Sequence, residues 1–175
     1  MTARRPALFL DRDGVLNVDC GFVARAEDFA WQPGAIAMVR AFNMRGWRVF
    51  VVTNQTGVAF GHYTLDDMAR VHHRLESDLA AAGARIDRIY HCPYHPDATI
   101  ATYRRDSFDR KPRPGMILNA FADFPLVKER SFLIGDKETD LLAARAAGIA
   151  GFLYRRGDLE TFAEWALADL GEGGR

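Results

Sequence analysis

Short apolar runs alternate along this chain with longer segments in which apolar residues recur every three or four positions. Leu8-Phe9-Leu10, running into Asp11, reads as a first strand over residues 8–11. The run is unbroken by polar residues, as a parallel strand covered on both faces requires. Arg48-Val49-Phe50-Val51-Val52-Thr53 has the same character and adds β-branched residues, which predicts a second strand over 48–53. Further strands are predicted over 86–91, 131–135 and 151–154. Between them the period lengthens. Pro33-Gly34 opens a helix through about residue 46, with Ile36, Val39, Ala41 and Phe42 on one side. Thr64 is a candidate N-cap with Asp66 and Asp67 in the first turn, and Gly83 stops that helix after residue 82. One helix follows Pro114, and another covers 138–147 until Gly148 ends it. Strand–helix alternation predicts an α/β fold, a doubly wound, Rossmann-like parallel sheet with helices on both faces. Residues 14–32 and 92–112 interrupt the pattern, and connections of that length inside a domain are usually functional. Neither a repeat nor a biased segment divides the chain, so one domain over 1–175 is expected, frayed from about residue 171.

Composition narrows the partners. Lys+Arg and Asp+Glu both number 23 in 175 residues, so the chain lacks the basic excess of a nucleic-acid surface. No apolar run approaches the roughly 20 residues needed to span a bilayer, and no hydrophobic secretion-signal core follows Met1. With two cysteines, Cys20 and Cys92, a disulfide scaffold is not expected and a reducing, cytoplasmic setting is. A monomer is the simplest assembly consistent with this reading.

The candidate chemistry gathers at the predicted strand ends. Asp11-Arg12-Asp13-Gly14 ends the first strand with carboxylates two residues apart. Alternate residues of an extended segment share a face, so Asp11 and Asp13 are expected to project together. Two such carboxylates need a divalent cation, a shared proton, or both. One can attack while the other carries protons. The second strand ends in Thr53-Asn54-Gln55-Thr56-Gly57, whose hydroxyl, amide and N–H groups can receive an anion. Arg110-Lys111-Pro112 supplies cations, and Gly135-Asp136-Lys137-Glu138-Thr139-Asp140 supplies more carboxylates. The carboxyl ends of parallel strands lie on one edge of the sheet. Nucleophile, acid/base, hydroxyl, cationic clamp and metal ligands together form the inventory of phosphoryl transfer.

In this order, Asp11-Arg12-Asp13-Gly14, Thr53, Lys111 and Gly135-Asp136 with Asp140 resemble the four motifs of the haloacid dehalogenase superfamily of phosphohydrolases. From about residue 7 to 154 the chain is similar to the branch containing D-glycero-D-manno-heptose 1,7-bisphosphate 7-phosphatases and histidinol-phosphatases, which lacks a large cap domain. The resemblance implies a Mg²⁺-dependent phosphatase of a small phosphorylated sugar, serving heptose metabolism and lipopolysaccharide synthesis. It implies that Asp11 is the nucleophile, forming an aspartyl phosphate, and that Asp13 is the acid/base. Thr53 and Lys111 would stabilise the phosphoryl group. Mg²⁺ would be held by Asp11, the Asp13 backbone carbonyl and Asp136. Arg110 would recognise substrate, with Asp19, Gly21, Phe22, Asn54, Gln55, Thr56 and Lys137 beside it. Asp140 is expected to orient Lys137 or a metal-bound water.

The chain departs from that branch in one loop. Relatives often carry a Cys-x-His pair and a later Cys-x-Cys pair for zinc; the matching positions are Cys92, Tyr94, Ser107 and Asp109. Four ligands in tetrahedral array are the norm for structural zinc, so structural Zn²⁺ is expected to be absent, although His91, His95 and Asp109 leave a degenerate site with Cys92 conceivable. His72 and His73 read as a solvated helix face, and Arg155-Arg156 as a surface turn or a distal phosphate contact. Histidinol phosphate is the rival substrate. A receiver domain that stores a phosphoryl group on aspartate is the rival class, and Asp13 argues against it, since storage needs no second aspartate to activate water.

Overall fold

The computed structural model describes residues 3–172. Five strands form one sheet: β1 (Ala7–Leu10), β2 (Arg48–Asn54), β3 (Arg88–Cys92), β4 (Phe132–Gly135) and β5 (Ala150–Leu153). All neighbours are parallel, in the order β3-β2-β1-β4-β5. The chain winds outward from β1 through β2 to β3, then returns to lay β4 on the other side of β1. That reversal creates a crevice at the carboxyl ends of β1 and β4, where open α/β sheets bind their ligands.

Two apolar layers follow from the alternation of side chains along each strand. Leu8, Leu10, Val49, Val51, Phe132 and Ile134 face helices α1 (Ala35–Met44), α3 (Leu65–Ala81) and α6 (Leu159–Glu172). Ala7, Phe9, Phe50, Val52 and Leu133 face α4 (Gly115–Asp123) and α5 (Glu138–Ala147). Phe9 is fully buried, stacked at 5.3 Å on Phe50 and 5.8 Å from Phe121. The Thr64 cap forms as expected: its hydroxyl accepts from Asp67 N–H while the Asp67 carboxylate accepts from Thr64 N–H. Among the described residues no helix is long and apolar enough to cross a membrane.

Several expected boundaries move. β1 stops at Leu10, and β3 begins at Arg88 rather than residue 86, because Asp87 turns back to β2. The Asp87 carboxylate accepts from Val49 N–H at 2.8 Å and from Arg48 at 2.5 Å. On α1, Ala35 and Met38 are buried in place of Ile36 and Ala41, which are half-buried. The short α2 (Thr56–Ala59) and the C-terminal α6 were not expected. In α6, Leu159, Ala163 and Ala166 are buried on one side, and Asp158 caps Thr161 N–H. α6 extends through Glu172, and residues 173–175 of the expected tail lie outside the described part. The segment 14–32 folds back on itself, with Val18 N–H bonded to Ala30 O and Gln32 N–H to Leu16 O. In segment 92–112, Arg105 lies 3.5 Å over the Tyr94 ring and Arg104 bonds the Ala98 carbonyl at 2.7 Å.

The aromatic cluster around Phe9 sets a stability prediction. Phe9→Ala should lower the unfolding free energy by about 3–5 kcal/mol, as large-to-small core changes do, measured by urea denaturation. A loss below about 1 kcal/mol would mean that this layer is not tightly packed.

Candidate active site

The carboxyl ends of β1, β2 and β4, with segment 14–32, surround a polar pocket. Its lining includes Asp11, Asp13, Asp19, Gly21, Phe22, Asn54, Thr56, Tyr63, Lys111, Lys137 and Thr139. Asp11 follows β1 directly, and its N–H still joins the ladder through the Ile134 carbonyl at 3.1 Å. Arg12 N–H donates to Asp11 Oδ1 at 2.7 Å. The chain then turns sharply, and the Arg12 carbonyl accepts from Val15, Leu16 and Asn17 N–H. A turn, rather than an extended strand, brings Asp11 and Asp13 to the same pocket.

Lys111 is a buried cation of the site. Its Nζ lies 3.0 Å from Asp11 Oδ1, 2.5 Å from Asp140 Oδ1 and 2.8 Å from the Val52 carbonyl. An ammonium has three donors, and these three partners use all of them. Asn54 locks the lysine's backbone to the end of β2: its Nδ2 donates to Lys111 O at 3.0 Å, and its Oδ1 accepts from Lys111 N–H at 3.1 Å. Burial works against the charged ammonium, but Asp11 and Asp140 outweigh it and hold the Lys111 pKa above its ordinary value. Burial pushes Asp11 up to about 7, helped by the neighbouring Asp140 and Asp13 and opposed by Lys111. Asp136 is also raised, mainly by burial, with Lys137 opposing.

The carboxylates fit a hard divalent cation. Asp11, Asp136 and Asp140 each bring a carboxylate oxygen within 4.8 Å of the others. Asp140 is committed elsewhere, since Oδ1 holds Lys111 and Oδ2 accepts from Lys137 N–H at 3.0 Å. Asp136 Oδ1 is buried and has no hydrogen-bond partner. A buried carboxylate oxygen without a donor is costly, and an oxygen-seeking cation removes that cost. Gly14, at φ 85°, lets the backbone approach; a Cβ there would lie 2.3 Å from Asp136 Oδ2. The Asp13 carboxylate accepts from Arg12, Asn17 and Gln55.

The other expected residues divide. Asp19, Gly21, Phe22, Asn54, Thr56 and Lys137 line the pocket. Lys137 Nζ, 3.4 Å from Asp19 and 3.8 Å from Asp136, ties segment 14–32 to β4. Thr53 is buried behind the pocket and its Oγ1 accepts from Gln55 Nε2 at 2.9 Å. Gln55 is completely buried, so it touches Asp13 rather than an incoming molecule. Arg110 does not reach the pocket wall; its Nη1 lies 3.5 Å from the Tyr94 carbonyl. Asp140 accepts from Lys137 N–H and also grips Lys111, a contact that was not expected. His72 is buried against Arg12, not solvated, whereas His73 is exposed. Arg155 and Arg156 are exposed and outside the lining. Cys92 Sγ sits 3.9 Å from the Tyr94 carbonyl, His95 Nδ1 accepts from Asp97 N–H, and Asp109 accepts from Asn119.

Sequence reasoning missed Tyr63, Thr139 and the groups around Asp13. Tyr63 carried one available signal, its place soon after the Thr-Asn-Gln-Thr-Gly strand end.

Comparison with known proteins agrees with this geometry. A family model described as HAD-hydrolase-like matches residues 108–168. The D-glycero-beta-D-manno-heptose-1,7-bisphosphate 7-phosphatase of Rhodopseudomonas palustris is 43% identical over 167 residues, 95% of this chain and 93% of that protein. The D-glycero-alpha-D-manno-heptose-1,7-bisphosphate 7-phosphatase of Burkholderia mallei is 45% identical over 143 residues, covering 82% of this chain and 76% of that protein. Among solved structures, the D,D-heptose 1,7-bisphosphate phosphatase of B. bronchiseptica, complexed with magnesium and phosphate, superposes with a TM-score of 0.79 at 29% identity, covering 94% of this chain and 99% of that one.

A raised carboxylate pKa makes stability depend on pH and cation together. Below about pH 4 the folded and unfolded forms of Asp11 are both protonated. As pH rises toward its folded value of about 7, the unfolded state releases the proton first, so the metal-free protein loses stability across that window. A cation bound to the ionised cluster offsets the loss. Magnesium should therefore raise Tm more at about pH 8 than at about pH 5, read by thermal unfolding, and Asp136→Asn should remove most of the difference. Equal shifts at both pH values would show that the cation binds elsewhere.

Proposed function

The chain belongs to the D-glycero-D-manno-heptose-1,7-bisphosphate 7-phosphatase family of haloacid dehalogenase-like hydrolases, and from that premise we propose that it hydrolyses the 7-phosphate of the heptose bisphosphate through an aspartyl phosphate on Asp11. One observation carries the chemistry: Asp11, ion-paired to Lys111 at 3.0 Å, and Asp13 open into the same pocket.

In this reading an Asp11 oxygen attacks phosphorus and the P–O bond to the sugar breaks. Asp13, as the acid, gives its proton to the departing sugar oxygen. Asp13, now ionised, takes a proton from water; that water attacks phosphorus, the bond to Asp11 breaks, and inorganic phosphate leaves. Lys111 stabilises the charge that accumulates on the transferring oxygens and keeps Asp11 aimed. Thr53, buried behind the pocket, would support this centre through its bond to Gln55. Magnesium, when bound by Asp11, the Asp13 carbonyl and Asp136, supplies charge neutralisation for the incoming phosphate dianion. Asp19, Phe22 and Lys137, which line the pocket, would meet the sugar and its second phosphate. The exposed Phe22 ring stacks on His62 at 4.4 Å and offers an apolar face to carbons of the ring. Arg110, held toward Tyr94, contributes only if its side chain swings inward.

The test is phosphate release with magnesium from both anomers of the heptose bisphosphate and from histidinol phosphate. The bisphosphate should have the highest kcat/KM; a preference for histidinol phosphate would overturn the substrate, and no hydrolysis of any would overturn the activity. Asp11→Asn should reduce kcat by about 10³-fold or more. Asp13→Ala should reduce it by about 10²–10⁴-fold. Normal kcat in either variant would refute that residue's role.

A further inference from the structure

Arg12 presents a problem that the reaction as described does not use. Its guanidinium is completely buried, and a buried charge without full pairing is strongly destabilising. Nε donates to Asp13 Oδ1 at 3.1 Å, and Nη2 donates to both Asp13 oxygens at 3.0 Å. That fork fixes the plane of the carboxylate. Nη1 points the other way and meets His72 Nε2 at 3.2 Å. A guanidinium nitrogen can only donate, so His72 Nε2 must be the acceptor, with the ring proton on Nδ1. Burial, reinforced by Arg12 and His91, pushes the His72 pKa down to about 3, in keeping with a neutral ring.

A second arm reaches Asp13 from the opposite side. Tyr63 Oη donates to Gln55 Oε1 at 2.6 Å, which directs Gln55 Nε2 to Asp13 Oδ2 at 3.0 Å and to Thr53 Oγ1 at 2.9 Å. Gly57 makes room for this arm, since a Cβ there would lie 2.0 Å from the Tyr63 ring. Asn17 Nδ2 adds a bond to Asp13 Oδ1 at 3.0 Å. Oδ1 thus takes three donors and Oδ2 two; Arg12 is held in turn by His72, and Gln55 by Tyr63.

We propose that His72 and Tyr63 are positioning residues for proton transfer, holding the Asp13 carboxyl at the leaving oxygen through Arg12 and Gln55. This rests on the assignment of Asp13 as acid/base. His72 lies outside the pocket lining, and Tyr63, which lines it, turns its hydroxyl to Gln55. His72 secures the free arm of Arg12, so that the fork on Asp13 cannot rotate. Tyr63 fixes which end of the Gln55 amide faces Asp13. A loosened acid should matter only where the leaving group needs a proton.

The discriminating measurement is the leaving-group dependence of kcat/KM, which reports transfer up to the first irreversible step. A sugar phosphate leaves as a poor alkoxide and needs Asp13; 4-nitrophenyl phosphate leaves as a stable phenolate and does not. His72→Leu should lower kcat/KM for the sugar phosphate by about 10-fold or more, and that for 4-nitrophenyl phosphate by less than about threefold. His72→Gln, whose amide oxygen can accept from Arg12, should recover most of the loss. Tyr63→Phe, which removes one hydroxyl, should show the same asymmetry and serves if His72→Leu does not fold. In the wild type, the ¹⁵N shift of His72 Nε2 should mark an unprotonated nitrogen between about pH 5 and pH 8. Equal losses on both substrates, or none, would overturn the positioning role, as would a protonated Nε2. Wild-type protein inert on both substrates would instead overturn the phosphatase reading.

Discussion

The site depends on one buried ammonium. Lys111 is nearly inaccessible, touches two carboxylates and a main-chain carbonyl, and has no donor left for water. An unpaired lysine in that position would be expelled or neutralised. Paired as it is, it gathers Asp11 from the end of β1, Asp140 from the first turn of α5 and Val52 from β2 around a single point. The clustered carboxylates leave an excess of negative charge, and the buried, unpartnered Asp136 oxygen is the one a cation would best satisfy. A phosphate dianion can approach Asp11 only when that charge is offset.

The scaffold serves this point through topology. Reversal of the winding direction between β3 and β4 puts β1 in the middle of the sheet, with the carboxyl ends of β2 and β4 on either side of its own. Buried on both faces, the central strands hold those ends rigidly. The segment carrying Lys111 has no regular structure of its own, and Asn54 makes up for this by pairing with its main chain twice. Segment 14–32 is fastened at the rim by Lys137 and Asp19, a largely exposed contact worth little in stability.

Much of this was legible in the sequence, for particular reasons. The strands announced themselves because a doubly covered parallel strand must be apolar throughout. Asp11, Asp13 and Asp136 were legible as carboxylates following strand ends, and Lys111 as a cation of the Arg110-Lys111-Pro112 run. Gln55 and Arg110 were assigned to the pocket because polarity next to a motif reads as contact. The structure turns one inward to Asp13 and the other toward Tyr94, and orientation of that kind leaves no periodic trace. His72 lies on the inner face of α3, in step with Met68 and Leu75, so its burial was written in the helical period and was masked by its polarity. The helix α6 was overlooked because its buried stripe is built largely from alanines, whose apolar signal is weak.

The central claim is that Asp11 bonds covalently to phosphorus during turnover. The direct measurement is acid quench of the enzyme during hydrolysis of the heptose bisphosphate with magnesium, followed by peptide mass spectrometry, with Asp13→Ala used to prolong the intermediate. One phosphoryl group is expected on the peptide containing Asp11, absent in Asp11→Asn. Sustained turnover with no phosphorylated peptide, or with phosphate on another residue, would contradict it.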